Sequence, residues 1–257
     1  MVKSATMSSK ITVARPLILL FLLITAGFFL TTQAYAVLPQ SSNVVGLWHL
    51  DESSGYTASD SSGMGKTITA NGGIQLTTST YEFGTASCSL DGTSGYLDIA
   101  DSDDWHFGTG DFTVDFWVNF NDVTTGQETL FSGDTGGEHF QVQWQGGSSN
   151  HWQVIVNGAS NGGPGGSTNS YQNFSDTLSS HTWYHIAIVK SSNTIRVFRN
   201  GTQVGSDWTD TSSIDMNGIR IGASASPGYF LYGYIANGIP NIEIVIVLLR
   251  STIQARI

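Results

Sequence analysis

Gly110-Asp111-Phe112-Thr113-Val114-Asp115-Phe116-Trp117-Val118-Asn119-Phe120 alternates apolar and polar residues without a break. Successive side chains of an extended strand point to opposite faces. Phe112, Val114, Phe116, Val118 and Phe120 therefore share one face, with Thr113, Asp115, Trp117 and Asn119 on the other. Shorter runs of the same kind recur at Val44 to Leu50, Ser87 to Asp91, Gly95 to Ala100, Glu128 to Ser132, His139 to Gln145 and Trp152 to Asn157. They continue at Trp183 to Lys190, Thr194 to Asn200, Gly218 to Ala223 and Tyr229 to Ile235. Turn formers, not long amphipathic helices, separate them. The pattern predicts an all-β chain of two packed antiparallel sheets.

The turns have chemical causes. Asn200-Gly201 supplies the positive-φ pair of a tight hairpin, which should fold Arg196 to Arg199 back onto Gln203 to Gly205. Gly158 to Ser170, dense in Gly, Ser and Asn, has no periodicity and reads as a mobile loop. The apolar run Ile242 to Leu249 has no polar face, so it reads as a strand buried on both sides or as an exposed sticky tail.

At the other end, Lys3, Lys10 and Arg15 precede an apolar run from Leu17 to Leu30 and then Ala34-Tyr35-Ala36. That arrangement reads as a signal peptide cleaved after Ala36, since the run falls short of the roughly 20 residues a spanning helix needs. The expected organisation is residues 1–36 as signal peptide, 37–43 as a short linker, 44–235 as the sandwich and 236–257 as an atypical tail. The mature protein would be secreted, extracellular or at a cell surface, with no membrane span left after cleavage. The formal charge of −10 leaves no basic footprint for a phosphate backbone, which excludes nucleic acid as the natural partner class. Cys88 is the only cysteine, so no intrachain disulfide can form and the core must hold the fold.

Three segments resemble the laminin-G-like family of the concanavalin A-like superfamily. They are Gly46-Leu47-Trp48-His49-Leu50-Asp51-Glu52 with Asp60-Ser61-Ser62-Gly63, Phe112 to Val118, and Trp183-Tyr184-His185-Ile186-Ala187-Ile188-Val189 with the Arg196 to Gly201 hairpin. The resemblance implies a jelly-roll sandwich with a non-catalytic binding role toward glycans or proteins. Family members commonly carry an Asp-Glu pair after the Gly-Tyr-Ile segment, and related sandwiches use a carboxylate there for structural calcium. Here Gly233-Tyr234-Ile235 is followed by Ala236 and Asn237, a departure that weakens the case for calcium.

The candidate site follows from what a sugar needs: an aromatic ring for its apolar face and amide or carboxylate groups for its hydroxyls. Trp117 is the expected stacking ring. Asp115, Asn119, Gln141 and Gln143 are the expected hydrogen-bonding groups, on the condition that their two strands are neighbours in one concave sheet. Asp60 is the candidate metal ligand, with calcium the ion its oxygens would suit. The six histidines show no spacing that presents a metal site. Glycoside hydrolysis is the weaker reading: it needs a carboxyl pair, at about 5 Å in retaining enzymes, whereas Asp111 and Asp115 stand about 13 Å apart along a strand. The alternative partner is a protein, which the apolar tail could meet as a docking strand.

Overall fold

The computed structural model describes residues 43–52, 58–133, 140–148, 150–156, 170–225 and 228–236. The expected signal peptide, most of the loop after Val156 and the tail beyond Ala236 lie outside these residues. In chain order the strands are β1 (Ile68–Asn71), β2 (Gln75–Thr77), β3 (Ser87–Asp91), β4 (Tyr96–Ile99), β5 (His106–Gly108), β6 (Phe112–Phe120), β7 (Gln127–Gly133) and β8 (Phe140–Gln145). They continue as β9 (His151–Val156), β10 (Ser170–Ser175), β11 (Trp183–Ser191), β12 (Thr194–Arg199), β13 (Thr202–Thr209), β14 (Ile214–Asp215), β15 (Ile219–Ile221) and β16 (Tyr232–Ala236).

Two seven-stranded sheets form the sandwich. One runs β1-β4-β15-β7-β8-β9-β10 and the other β13-β12-β11-β6-β16-β3-β2, with β14-β5 as a small separate pair. Every pairing among these strands is antiparallel. The all-β sandwich read from the sequence is therefore the fold observed.

β6 sits inside its sheet between β11 and β16 and sends its apolar stripe inward. Phe112 meets Phe140 of the facing sheet edge-on at 5.1 Å, and Phe120 meets Trp144 and Trp152 at 6.2 and 6.0 Å. Trp144 and Trp152 pack on each other at 5.2 Å, and both are fully buried. At roughly 25 cal/mol per Å² of apolar area removed from water, aromatic side chains of this size dominate the energy of the core.

The Asn200-Gly201 hairpin forms as read. Both residues have positive φ (49° and 76°), and Arg199, Phe198 and Val197 pair with Thr202, Gln203 and Val204. The expected strand Val44 to Leu50 does not form. Val45, Leu47, Trp48 and Leu50 are buried, but the only bridge within it to a described partner is Trp48 to Asp60, and Leu50 takes a φ of 56° that breaks an extended run. At Leu47 the backbone bonds to the Asp60 turn, its N–H donating to Asp60 Oδ1 and its carbonyl accepting from the Ser61 N–H. Strands β1, β2, β5, β10 and β14 form where no strand was expected; four of them have four residues or fewer, too short to show a period.

One inward carboxylate joins the sheets. Glu128 of β7 is 6% exposed, and its Oε2 accepts the backbone N–H of Tyr232 in β16 at 2.8 Å. Burial pushes its carboxyl up from the ordinary 4.5 to about 8, against the lowering effect of that hydrogen bond, with the nearby charge of Asp122 adding to the rise. Folding thus favours the protonated acid. The contribution is full below the unfolded pKa and is lost as pH rises toward 8. Between pH 5 and 8 the protein should lose stability progressively, on the order of 1 kcal/mol per pH unit, relative to Glu128→Gln, whose amide still accepts from Tyr232. Urea melts across that range measure it, and parallel pH profiles for the two proteins would refute it.

Candidate functional site

The five residues selected for sugar binding divide between the two sheets. Asp115, Trp117 and Asn119 lie on β6, and Gln141 and Gln143 on β8. The outward faces of these strands look to opposite sides of the sandwich, so the single concave surface expected from the sequence does not exist. Alternation fixes the face of a strand and says nothing about which sheet receives it.

On the β8 side, Thr129, Gln143, Gln153 and Asn173 stand in one register row across β7, β8, β9 and β10. Their amides are spent on each other. Gln127 and Gln141 both donate to Gln143 Oε1, at 2.6 and 2.5 Å, Gln143 donates to Gln153 Oε1, and Gln153 donates to Asn173 Oδ1 at 2.9 Å. Gln143 is 1% exposed. The row ties strands together and leaves few of its groups to meet a ligand.

On the β6 side the sheet brings in residues that the sequence reading did not select. Register places His185 beside Trp117, and Trp183 and Tyr234 on either side of Asn119. The Trp117 ring stacks on His185 at 5.5 Å and meets Phe83, from the segment between β2 and β3, edge-on at 5.1 Å. Trp117 is thus already engaged by other rings in place of offering an open platform. The half-buried pair Trp183 and Tyr234, with centroids 6.4 Å apart, forms a second aromatic element on the same face.

The polar atoms of this face are unusual. Asp115 Oδ1, Trp117 Nε1, Asn119 Oδ1 and His185 Nε2 are closed off from solvent without a hydrogen-bond partner among the described residues. Asp115 Oδ2 lies 3.7 Å from His185 Nε2, an ion-pair separation too long for a hydrogen bond. Burial raises the Asp115 carboxyl above the usual carboxylate range, and His185 pulls the other way. An unpaired buried polar atom costs about 1–3 kcal/mol, so such a concentration in one place calls for an explanation. The signal was present in the sequence, because Trp183 and His185 alternate outward in Trp183-Tyr184-His185, but only the register shows that they meet β6.

Backbone donors surround the carboxylate of Asp60. Its Oδ1 accepts from the N–H groups of Leu47 (3.1 Å) and Ser62 (2.8 Å), and its Oδ2 from that of Lys66 (2.7 Å). A carboxylate ringed by N–H donors anchors a turn; a calcium ion needs a ring of oxygens. Among the described residues no group of three or more His, Cys, Asp or Glu is placed to hold a metal ion.

A family profile described as the concanavalin A-like lectin/glucanases superfamily matches residues 91–237. Solved structures with the same fold include a botulinum neurotoxin type C structure whose description states that cell entry depends on interaction with two ganglioside molecules (12% identity, TM-score 0.58, covering 84% of this chain and 49% of that one). Another is the binding domain of Paraclostridial Mosquitocidal Protein 1 (15% identity, TM-score 0.57, covering 77% and 48%). A third is the binding domain of botulinum neurotoxin DC in complex with rat synaptotagmin II (12% identity, TM-score 0.57, covering 77% and 48%). At such identities the likeness is one of fold, and this chain spans about half the length of each. No curated protein sequence matches the chain.

The Asp60 turn yields a direct test. Asp60→Ala strands three N–H groups and should cost about 1–3 kcal/mol in a urea melt, with a chelator leaving the unsubstituted protein unchanged. A melting temperature that falls in chelator, and does so only while Asp60 is present, would make it a metal ligand instead.

Proposed function

The chain belongs to the concanavalin A-like lectin/glucanases superfamily, and from that premise we propose that it is an exported, non-catalytic recognition module for glycans. The observation that carries this reading is the outward face of β6, β11 and β16. There Trp117, Trp183, His185 and Tyr234 converge around Asp115 and Asn119, with polar atoms that lack partners. Aromatic faces pack on sugar rings, and carbonyl and carboxylate oxygens accept sugar hydroxyls.

Two further points support it. Glycoside hydrolysis generally uses two carboxyl groups across one bond, and on the outward positions of these three strands Asp115 is the only carboxylate. Several fold neighbours are described as binding domains, one in complex with SialylT and another with rat synaptotagmin II. Export rests on the leader-like first 36 residues. Of the residues first selected, Asp115, Trp117 and Asn119 remain in the proposed site, and Gln141 and Gln143 leave it. The protein-partner alternative drew on the apolar run Ile242 to Leu249, which lies outside the described residues.

A glycan panel probed with the full chain tests the proposal. Trp183→Ala should weaken binding at least roughly tenfold, the scale of one lost stacking contact, with the melting temperature kept within a few degrees. Gln141→Ala, on the opposite sheet, should bind as the unsubstituted protein does. Loss in Gln141→Ala with none in Trp183→Ala would put the site on the wrong face, and a folded chain that binds nothing in the panel would overturn the glycan reading.

A further inference from the structure

We infer that the polar cluster at Asp115, Trp117, Asn119 and His185 selects uncharged glycans and rejects sialylated, sulfated or uronic acid ones. The inference rests on the glycan reading above and adds the chemical class of the ligand.

The orphaned groups of this face set what a ligand must offer. Asp115 Oδ1 and Asn119 Oδ1 are acceptors, Trp117 Nε1 is a donor and His185 Nε2 can be either, all closed off from solvent without partners among the described residues. Asn119 is 4% exposed. A hydroxyl both donates and accepts, so a polyol face can meet donors and acceptors together. A carboxylate or sulfate only accepts. It could pair with the indole and imidazole N–H groups and would leave both oxygens unmet.

Charge works in the same direction. An anionic sugar needs a counter-cation, and the five described Lys and Arg residues are committed elsewhere. Lys66 is paired with Asp104, Arg196 with Asp207, Arg199 with Asp176 and Arg220 with Asp98. Lys190 points inward and donates to the Ser212 carbonyl at 2.9 Å. Arg196, on the outward side of β12, is forked onto Asp207 through two nitrogens at 2.9 and 2.6 Å. An acidic ligand at this face would lose its hydration with no described Lys or Arg free to offset its charge. A charge taken out of water without a counter-ion costs several kcal/mol.

Access runs past Phe83, which stands edge-on to Trp117 on the largely exposed stretch of residues 78–85. The ligand ring takes the place of Phe83 over the indole and its hydroxyls meet the atoms beneath.

The test compares, by calorimetry on the full chain, a neutral galactoside with the same galactoside carrying a terminal sialic acid. The neutral ligand should bind about tenfold more tightly or better. Asp115→Asn, and independently Val189→Lys, should narrow that ratio; the second sits at a half-buried outward position two residues along β11 from Ala187, the register partner of Asp115. Phe83→Ala should raise affinity for the neutral ligand several-fold. Equal or tighter binding of the sialylated ligand would overturn the inference and leave the glycan reading standing, as would a ratio unchanged in whichever of the two charge variants folds. Weaker binding in Phe83→Ala would make that ring a wall of the site, against the route proposed. Binding of neither sugar, nor of any glycan on the wider panel, would remove the glycan reading and this inference with it.

Discussion

The interaction on which the rest depends is the contact of the β6 aromatic stripe with the facing sheet. Phe112 on Phe140, and Phe120 on Trp144 and Trp152, lock the two sheets at both ends of one nine-residue strand. Strand side chains alternate strictly, so burying that stripe leaves no freedom in the other face. Once Phe116 and Val118 point in, Asp115, Trp117 and Asn119 must point out. A shift of one residue would put a carboxylate and an amide between the sheets and three phenylalanines in water.

That constraint spreads sideways through the register. β11 pairs with β6 from Trp183 opposite Asn119 to Lys190 opposite Phe112, and β16 pairs from Gly233 opposite Phe120 to Ala236 opposite Trp117. Each of these strands has its own buried side, Tyr184, Ile186 and Ile188 on β11 and Gly233 and Ile235 on β16. The outward rings are therefore brought together by core burial and not by any attraction of their own. The sandwich builds the candidate site as a consequence of packing its interior.

The sequence carried the sheet faces well and the neighbourhoods poorly. Long alternating strands such as β6, β8 and β11 were legible because their period is strong over six residues or more, and the Asn200-Gly201 hairpin was legible because its turn chemistry is local. Pairing across the fold was not. Nothing in Phe140 to Gln145 says that it lies opposite β6 and not beside it, so Asp115 and Gln143 looked like one surface and are two. Val44 to Leu50 failed for a different reason: its apolar residues are in the core, but its backbone is held by the Asp60 carboxylate, a side-chain interaction that hydrophobic pattern does not record. The short strands β2, β5 and β14, of two or three residues, have no period to read.

The two outward faces solve the same problem in opposite ways, and the contrast separates structure from function. Both carry polar side chains on sheets that are hydrophobic inside. On the β7 to β10 side those side chains are amides that pass hydrogen bonds from strand to strand, Gln143 to Gln153 to Asn173, so a polar row that is nearly sealed from water still satisfies itself. On the β6 side the groups are of unlike kinds, a carboxylate, an indole, an amide and an imidazole, and they do not satisfy one another. A ladder of like amides would have been the more stable choice there too, since each orphaned atom costs about 1–3 kcal/mol. Stability alone gives no reason to keep the mismatched set beneath Phe83 and beside Trp183. Under the proposed glycan reading, a ligand whose hydroxyls met these atoms would recover that cost on binding.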